Sequence, residues 1–260
     1  MKINLVIPAA GMGSRFRANG VDTPKPLIPI LGVPMIGWVI ANFALNPQDE
    51  IWIITRKEDG IPLKLETLLP GLKNEIHFIE IDKLTDGAAT TLQFALNKIS
   101  TTETVLCANS DQFVSSSLDP FMKLVRSNES DGQILTMAAH GNKWSYVKRD
   151  EFNEVIDVVE KVQVSDEATV GVYGWRTARD AISSIEKMKE ADFKVNGEFY
   201  VAPSYTFLIN QGGRVATHNV GSVEMDVHGL GTPEDLNLFL RNPNLDKYFA
   251  DVRKRLGFSE

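Results

Sequence analysis

The sequence predicts an α/β protein of three layers, with helices on both sides of a mostly parallel central sheet. Two observations point there. Short apolar runs alternate with helical patterns from residue 3 to about residue 126, the order that builds a parallel sheet through crossover helices. The first of these runs ends in small residues and two glycines, Ala9-Ala10-Gly11-Met12-Gly13, a strand end shaped to let something approach the backbone closely. Beyond residue 131 the pattern changes to strands without long helices between them. The chain therefore divides into halves, 1–130 and 131–260, with no linker-like stretch separating them and no internal repeat.

In chain order, Ile3-Asn4-Leu5-Val6-Ile7 is the first buried strand. Pro34 to Ala44 is a helix with Pro34 in its first turn and Ile36, Val39, Ile40 and Phe43 on one face. Glu50–Thr55 and Glu75–Ile79 are strands, with a helix over Ile61–Leu69 between them. Asp86 to Ile99 is a helix for which Asp86 offers an N-cap; Val105–Ala108 is a strand and Leu118–Arg126 a helix. Strands follow at Gly132–Ala139, Trp144–Arg149, Val155–Val159 and Ala168–Trp175, then helices at Ala178–Ala191 and Tyr200–Gln211. A strand at Arg214–His218 precedes the last helices, Pro233–Leu240 and Asp246–Arg255.

Composition bounds the function. The chain has 260 residues, enough to bury a substantial core. A net charge of −7 argues against a general nucleic-acid surface, which needs clustered positive charge. A single cysteine excludes an internal disulfide and a Cys-rich zinc site. Within Val105-Leu106-Cys107-Ala108 that cysteine suits the core. No apolar stretch reaches the length of a membrane span and none resembles a signal peptide, so a cytoplasmic protein is expected.

The chemistry concentrates in the opening loop. Arg15 follows Gly13, and ten residues later Lys25 stands between Pro24 and Pro26. Exposed backbone N–H groups in such a loop form an anion-binding nest that two cations would complete. The prolines should hold Lys25 on a stiff, extended segment. The loop lacks the Gly-Lys-Ser/Thr ending of a P-loop and the third glycine of the dinucleotide fingerprint. Gly-x-Gly alone also fits an ordinary strand-to-helix turn; the combination with Arg15 and Pro-Lys-Pro favours a phosphate-rich ligand such as a nucleotide. Asp111, in Ala108-Asn109-Ser110-Asp111, follows a buried strand. It can hold Mg²⁺, which takes oxygen ligands and needs few carboxylates beside substrate phosphates. A turn aspartate bonded to its own backbone is the plainer alternative. Asp86-Gly87-Ala88 enters a helix and could offer backbone donors to a base, ribose or phosphate, or could simply cap that helix.

Ala-Ala-Gly-x-Gly-x-Arg followed by Pro-Lys-Pro-Leu resembles the opening of the sugar-1-phosphate nucleotidylyltransferase superfamily, which includes small cytidylyltransferases. The resemblance covers nearly the whole chain, most specifically residues 5–30 and the surroundings of Asp111. It implies a Rossmann-like sheet of the GT-A type, with an acceptor-binding second half. It also implies an Mg²⁺-dependent enzyme that joins an NTP to a small phosphorylated acceptor, releasing pyrophosphate. Arg15, Lys25 and Asp111 would carry the chemistry. Ala9, Ala10, Gly11, Gly13, Asp86, Gly87 and Ala88 would hold the nucleotide, and Glu160, Lys161 and Glu198 the acceptor.

The sequence departs from the family at three places. Ser110 stands where many relatives have glycine, and Val162 where proline commonly follows Glu-Lys. More consequentially, the family's Asp-x-Gly-Thr-Pro-Glu, whose aspartate is a second metal ligand, reads Gly229-Leu230-Gly231-Thr232-Pro233-Glu234. Asp226 is the expected substitute on hardness, with His228 as the alternative, unless one carboxylate suffices. Thr232 and Pro233 are explained as a helix start. The departures keep three rivals open: a cytidylyltransferase for a non-sugar phosphate, a nucleotide-sugar-dependent glycosyltransferase, and a non-catalytic nucleotide-binding protein. The glycosyltransferase is disfavoured because no Asp-x-Asp follows a strand, and homo-oligomerisation is left open.

Overall fold

The computed structural model describes residues 1–127, 129–223 and 225–258. In the first half, β1 (Ile3–Pro8) leads into α1 (Ser14–Ala18), and a small hairpin of β2 (Pro29–Ile30) and β3 (Val33–Pro34) precedes α2 (Met35–Ile40). Then come β4 (Glu50–Arg56), α3 (Ile61–Leu68), β5 (Glu75–Ile81), α4 (Ala88–Leu96), β6 (Thr104–Ala108), β7 (Gln112–Val114) and α5 (Asp119–Ser127). The second half holds β8 (Gly132–Ala138), β9 (Ser145–Arg149), β10 (Val155–Glu160), β11 (Glu167–Trp175), α6 (Ala178–Glu190) and α7 (Ser204–Asn210). It closes with β12 (Val215–Ser222), β13 (Val227–Gly229), α8 (Pro233–Phe239) and α9 (Leu245–Arg255).

The α/β class is as expected. β1 lies between β4 and β6, and β5 lies outside β4, all parallel. β1, β4 and β6, flanked on both sides and covered on both faces, read as continuous apolar runs, which is why they were legible; β5 is an edge strand with exposed positions. Alternation along β1 separates two cores. Ile3, Leu5 and Ile7 pack with α2, α5, α8 and α9 around Trp38, while Val6 packs with α4, α6 and α7 around Trp175 and Tyr205. Asn4, fully buried, is held by Glu103 (3.0 Å), the Thr104 carbonyl (3.2 Å) and the indole N–H of Trp52 (3.1 Å).

At β6 the sheet turns antiparallel. β11 runs against β6 and then bends so that β8 and β9 both pair with it; β12 lies parallel to β8, and β10 forms a hairpin with β9. The two sequence halves thus share one nine-stranded sheet, continuous across the β6–β11 pair. A separate two-stranded ladder of β7 and β13 stands beyond the carboxyl end of β6.

Three helices are shorter than expected; α4 covers Ala88–Leu96 where Asp86 to Ile99 was expected. α2 stops at Ile40 because Asn42 is taken by β7: its amide donates to the Gln112 carbonyl (3.0 Å) and its carbonyl accepts from Val114 N–H (2.9 Å). The helix expected from Tyr200 begins at Ser204, with Pro203 as its cap, since proline restricts the residue before it to extended conformations.

Candidate active site

β1 places the opening loop. Ala9 N–H still bonds the Ile54 carbonyl (2.8 Å), so Ala9 and Ala10 are buried at the strand end. The chain then turns outward at the exposed Gly11. Gly13 takes a left-handed φ of 62° at the cap of α1, whose Phe16 is buried and anchors it. Arg15 stands exposed on that helix and reaches the wall of the principal cavity.

Lys25 does not sit on an extended segment as its prolines suggested. It opens a single 3₁₀ turn, Lys25–Leu27, closed by Leu27 N–H on the Pro24 carbonyl (2.8 Å). Proline suits the second position of such a turn, where no N–H is needed, and buried Pro26 and Leu27 fix it to the core. The lysine is aimed all the same: its Nζ lies 2.7 Å from Asp111 Oδ2, and both side chains are about three-quarters buried or more. Asp111 occupies the turn between β6 and β7, where its carbonyl accepts from Leu230 N–H (2.8 Å).

The cavity containing Asp111 measures about 590 Å³ and brings Arg15, Ala88, Glu160 and Lys161 to the same walls. A neighbouring cavity of about 320 Å³ is lined by Ala10, Gly11, Lys25, Gly87, Ala88 and Glu198. Lys25 and Asp111 are bonded where these spaces meet, and Ala88 borders both. Gly87 has a φ of 140° and lies against a neighbouring backbone: a Cβ there would fall 2.4 Å from the Phe199 carbonyl oxygen. Phe199 N–H bonds the Asp86 carbonyl (2.8 Å) and its own carbonyl accepts from Ala89 N–H (3.0 Å). This pairing brings Glu198 to the smaller cavity. Gly87, not Asp86, is the N-cap of α4; the Asp86 carboxylate accepts from Thr90 Oγ1 (2.6 Å).

On the far wall, Glu160 is buried at the end of β10 and accepts from Ser145 Oγ. Burial pushes its carboxyl above the usual range, a rise that Ser145 and Lys161 oppose and nearby Glu198 reinforces. Lys161 adopts a φ of 59°, its N–H bonded to the Trp144 carbonyl (2.9 Å). Its ammonium lies 4.3 Å from the Tyr200 ring centroid and donates to the Tyr200 hydroxyl. The site therefore gathers a backbone loop, a lysine–aspartate pair and a second cationic wall around one opening.

The family described as Nucleotidyl transferase matches residues 4–196. The chain belongs to that family. Among curated relatives, a 2-C-methyl-D-erythritol 4-phosphate cytidylyltransferase from Gloeobacter violaceus is 38% identical over 79 residues, 30% of this chain and 33% of that one. The bifunctional protein GlmU of Aquifex aeolicus is 26% identical over 254 residues, 90% of this chain and 51% of that one. Among solved structures, a nucleoside-diphosphate-sugar pyrophosphorylase from Vibrio cholerae RC9 superposes with a TM-score of 0.79 at 25% identity, covering 92% of this chain and all of the other. The chain thus spans a third to a half of the length of these curated relatives.

Within this nucleotidyl transferase fold, the structure does not bring Asp226 to Asp111. Along the β7–β13 ladder Asp226 lies opposite Ser115 and Leu230 opposite Asp111. Four residues of extended chain separate them, about 13 Å. The Asp226 carboxylate accepts from Ser116 Oγ (2.9 Å) and Ser222 N–H (3.0 Å), clamping its own loop. His228 is buried among the rings of Phe113, Phe239 and Tyr248, and that burial lowers its pKa. Neither lines the cavity that holds Asp111.

Sequence reasoning passed over several wall residues: Asn109, Gln112, Trp144, Tyr173, Tyr200 and Asp235. Gln112 Oε1 is buried without a hydrogen-bond partner, and Tyr173 bonds Thr169 (2.9 Å). Proximity in the chain could have signalled Asn109 and Gln112, beside Asp111, and Tyr200, two residues after Glu198; Trp144, Tyr173 and Asp235 are brought in by tertiary contact.

Among the described residues no helix is long and apolar enough to cross a membrane. Cys107 is buried, and burial pushes its thiol up to about 12, consistent with a core role.

Proposed function

We propose that the protein is an Mg²⁺-dependent nucleotidylyltransferase that joins an NTP to a sugar-1-phosphate, giving an NDP-sugar and pyrophosphate. The observation that carries this is the Lys25–Asp111 pair. It stands between a small-residue loop at the end of β1 and an acceptor wall bearing Glu160 and Lys161.

The donor set fits a hard divalent cation. The Asp111 carboxylate lies on a cavity wall with no histidine or cysteine among the described lining residues. Gly231 leaves room directly over it, since a Cβ there would fall 2.4 Å from Oδ2. When bound, the cation would neutralise triphosphate charge.

In the reaction, an oxygen of the acceptor phosphate attacks the α-phosphorus of the NTP. The new P–O bond forms as the bond to the bridging oxygen of pyrophosphate breaks. The attacking oxygen is already anionic, so a strong base is not required, and positioning and charge neutralisation carry the rate. Backbone groups of Ala10, Gly11 and Gly13 cradle the phosphates, with Arg15 holding the triphosphate; Ala9, whose N–H is taken by the Ile54 carbonyl, anchors the loop instead. Lys25 donates to the transferring phosphate. Asp86, Gly87 and Ala88 frame the base and ribose, while Lys161 meets the acceptor phosphate and Glu160 its hydroxyls. Glu198 lines the nucleotide-side cavity, so its contact falls at the junction of the two substrates. The two halves, 1–130 for the nucleotide and 131–260 for the acceptor, act within one cytoplasmic domain.

A second reading has a specific observation behind it: the 38% identical segment belongs to a 2-C-methyl-D-erythritol 4-phosphate cytidylyltransferase, whose named acceptor is not a sugar-1-phosphate. Pyrophosphate release, measured with Mg²⁺ across four NTPs and a panel of hexose-1-phosphates and non-sugar phosphates, decides between them. Release with one NTP and a hexose-1-phosphate supports the main reading. Release only with CTP and a non-sugar phosphate replaces it with the second, and release with neither, in a protein that binds NTP, refutes both.

A further inference from the structure

The turn that passes Asp111 contains two bare Cα positions, and a carboxylate hangs over each. A Cβ on Gly231 would fall 2.4 Å from Asp111 Oδ2; a Cβ on Gly229 would fall 3.4 Å from both Cγ and Oδ2 of Asp235. Residues 229 and 231 are two steps apart, so their Cα atoms are separated by no more than about 7 Å. Both aspartates, with Gly229 and Gly231, line the 590 Å³ cavity.

A helix-start explanation does not account for the Asp235 side chain. Asp235 is the third residue of α8, and its N–H bonds the Thr232 hydroxyl (3.1 Å) as a capping arrangement requires. In a closed capping box the acidic side chain at that position returns a bond to the N-cap N–H. Here Asp235's carboxylate makes no hydrogen bond or ion pair among the described residues. Exposed Glu234, one residue earlier, is placed to favour the helix N-terminus without it.

We propose that Asp235 is the second carboxylate of the divalent-cation site, reaching from α8 into the space that a side chain at Gly229 would otherwise fill. This rests on Asp111 being the first carboxylate of that site. The chemistry is suited to Mg²⁺ or Mn²⁺, which accept carboxylate oxygens and complete their shell with water and substrate phosphate.

The test is Mn²⁺ binding by the full chain, read from the electron paramagnetic resonance signal of the free ion, with folding followed by circular dichroism. Asp111→Asn and Asp235→Asn should each weaken Mn²⁺ by at least about tenfold. Glu234→Gln removes the same charge from the same helical turn and should leave the affinity unchanged. Gly229→Asp has room, because its Cβ meets Asp235 only at ordinary contact distance; added to Asp235→Asn, it should restore binding. Asp235→Asn binding Mn²⁺ as wild type does, Glu234→Gln weakening it equally, or wild type binding no Mn²⁺ in the millimolar range would each overturn the proposal. If only Asp111→Asn loses the ion, Asp235 is excluded while the nucleotidyl-transfer reading survives. If binding depends on Asp235 but no NTP and acceptor release pyrophosphate, the cation site stands and that reading fails.

Discussion

Gly231→Ala isolates the positioning of Asp111 from its chemistry. The added methyl would lie 2.4 Å from Oδ2 and 3.0 Å from Cγ, whereas non-bonded atoms settle at about 3.5 Å. Something must therefore retreat by about 1 Å. The Asp111 backbone resists, because its carbonyl is bonded to Leu230 N–H at 2.8 Å, so the carboxylate moves and the 2.7 Å bond to Lys25 is lost or dragged with it. A displacement of that size in a reacting constellation costs about 100-fold in rate, or about 2.7 kcal/mol of barrier. Stability should fall far less, by about 1 kcal/mol for local overpacking against a single side chain at a cavity wall, which is roughly 2–4 °C in Tm for a chain of this size. The assay is kcat/KM for pyrophosphate release, with Tm measured in parallel. Gly229→Ala is the control: its methyl meets Asp235 at 3.4 Å, an ordinary contact, and should keep activity within about threefold. Gly231→Ala retaining activity as well as Gly229→Ala does would refute the placement of Asp111 at the reacting phosphates.

Three further outcomes are expected. Lys25→Ala should lower kcat by about 100- to 1,000-fold, the usual loss for one donor aimed at developing charge, with a much smaller change in NTP affinity; an unchanged kcat removes Lys25 from the chemistry. Glu160→Gln should abolish a pH dependence of stability. Burial raises the Glu160 pKa above 4.5 in the folded chain, so the native state bears no penalty below that value and loses stability as pH rises through the raised one. The Tm of Glu160→Gln relative to wild type should accordingly improve between about pH 4 and pH 7, and a constant difference would contradict the burial effect. Asp226→Ala should cost roughly 1–3 kcal/mol by orphaning Ser116 Oγ and Ser222 N–H, while Mn²⁺ binding is retained. Loss of the ion from a folded Asp226→Ala protein would return Asp226 to the metal site.

How much could be read in advance follows from the range of the forces involved. β1, β4 and β6 are covered on both faces, and their apolar runs announced them. The phosphate loop was legible because small residues, Arg15 and a proline-flanked lysine lie within a few turns of chain. What stayed hidden was set by tertiary contact. Nothing near Lys25 signals that it would bond a carboxylate 86 residues away. Asn42 looked like the continuation of a helix but serves the backbone of β7. Glu198 lies just before the helix expected from Tyr200, yet α7 begins at Ser204 and a bridge between Val195 and Glu198 holds the glutamate in a turn.

The expectation that Asp226 stands beside Asp111, with His228 as the alternative, missed the cavity for a geometric reason: neither lines it, whereas Asp235 does. Hardness favoured Asp226 over His228, and both lie within three residues of Gly229 in the chain. Inside an extended ladder each step carries the chain about 3.3 Å further and turns the side chain to the opposite face, so nearness in number becomes distance in space. After Gly231 the chain reverses at Thr232-Pro233 and enters α8, where each residue advances only about 1.5 Å. The first helical turn therefore folds back over the residues that precede it, and the Asp235 carboxylate ends beside Gly229, six positions upstream. At a strand-to-helix junction, then, the first turn of the helix is where the backbone returns a side chain to the space left by a bare position on the strand.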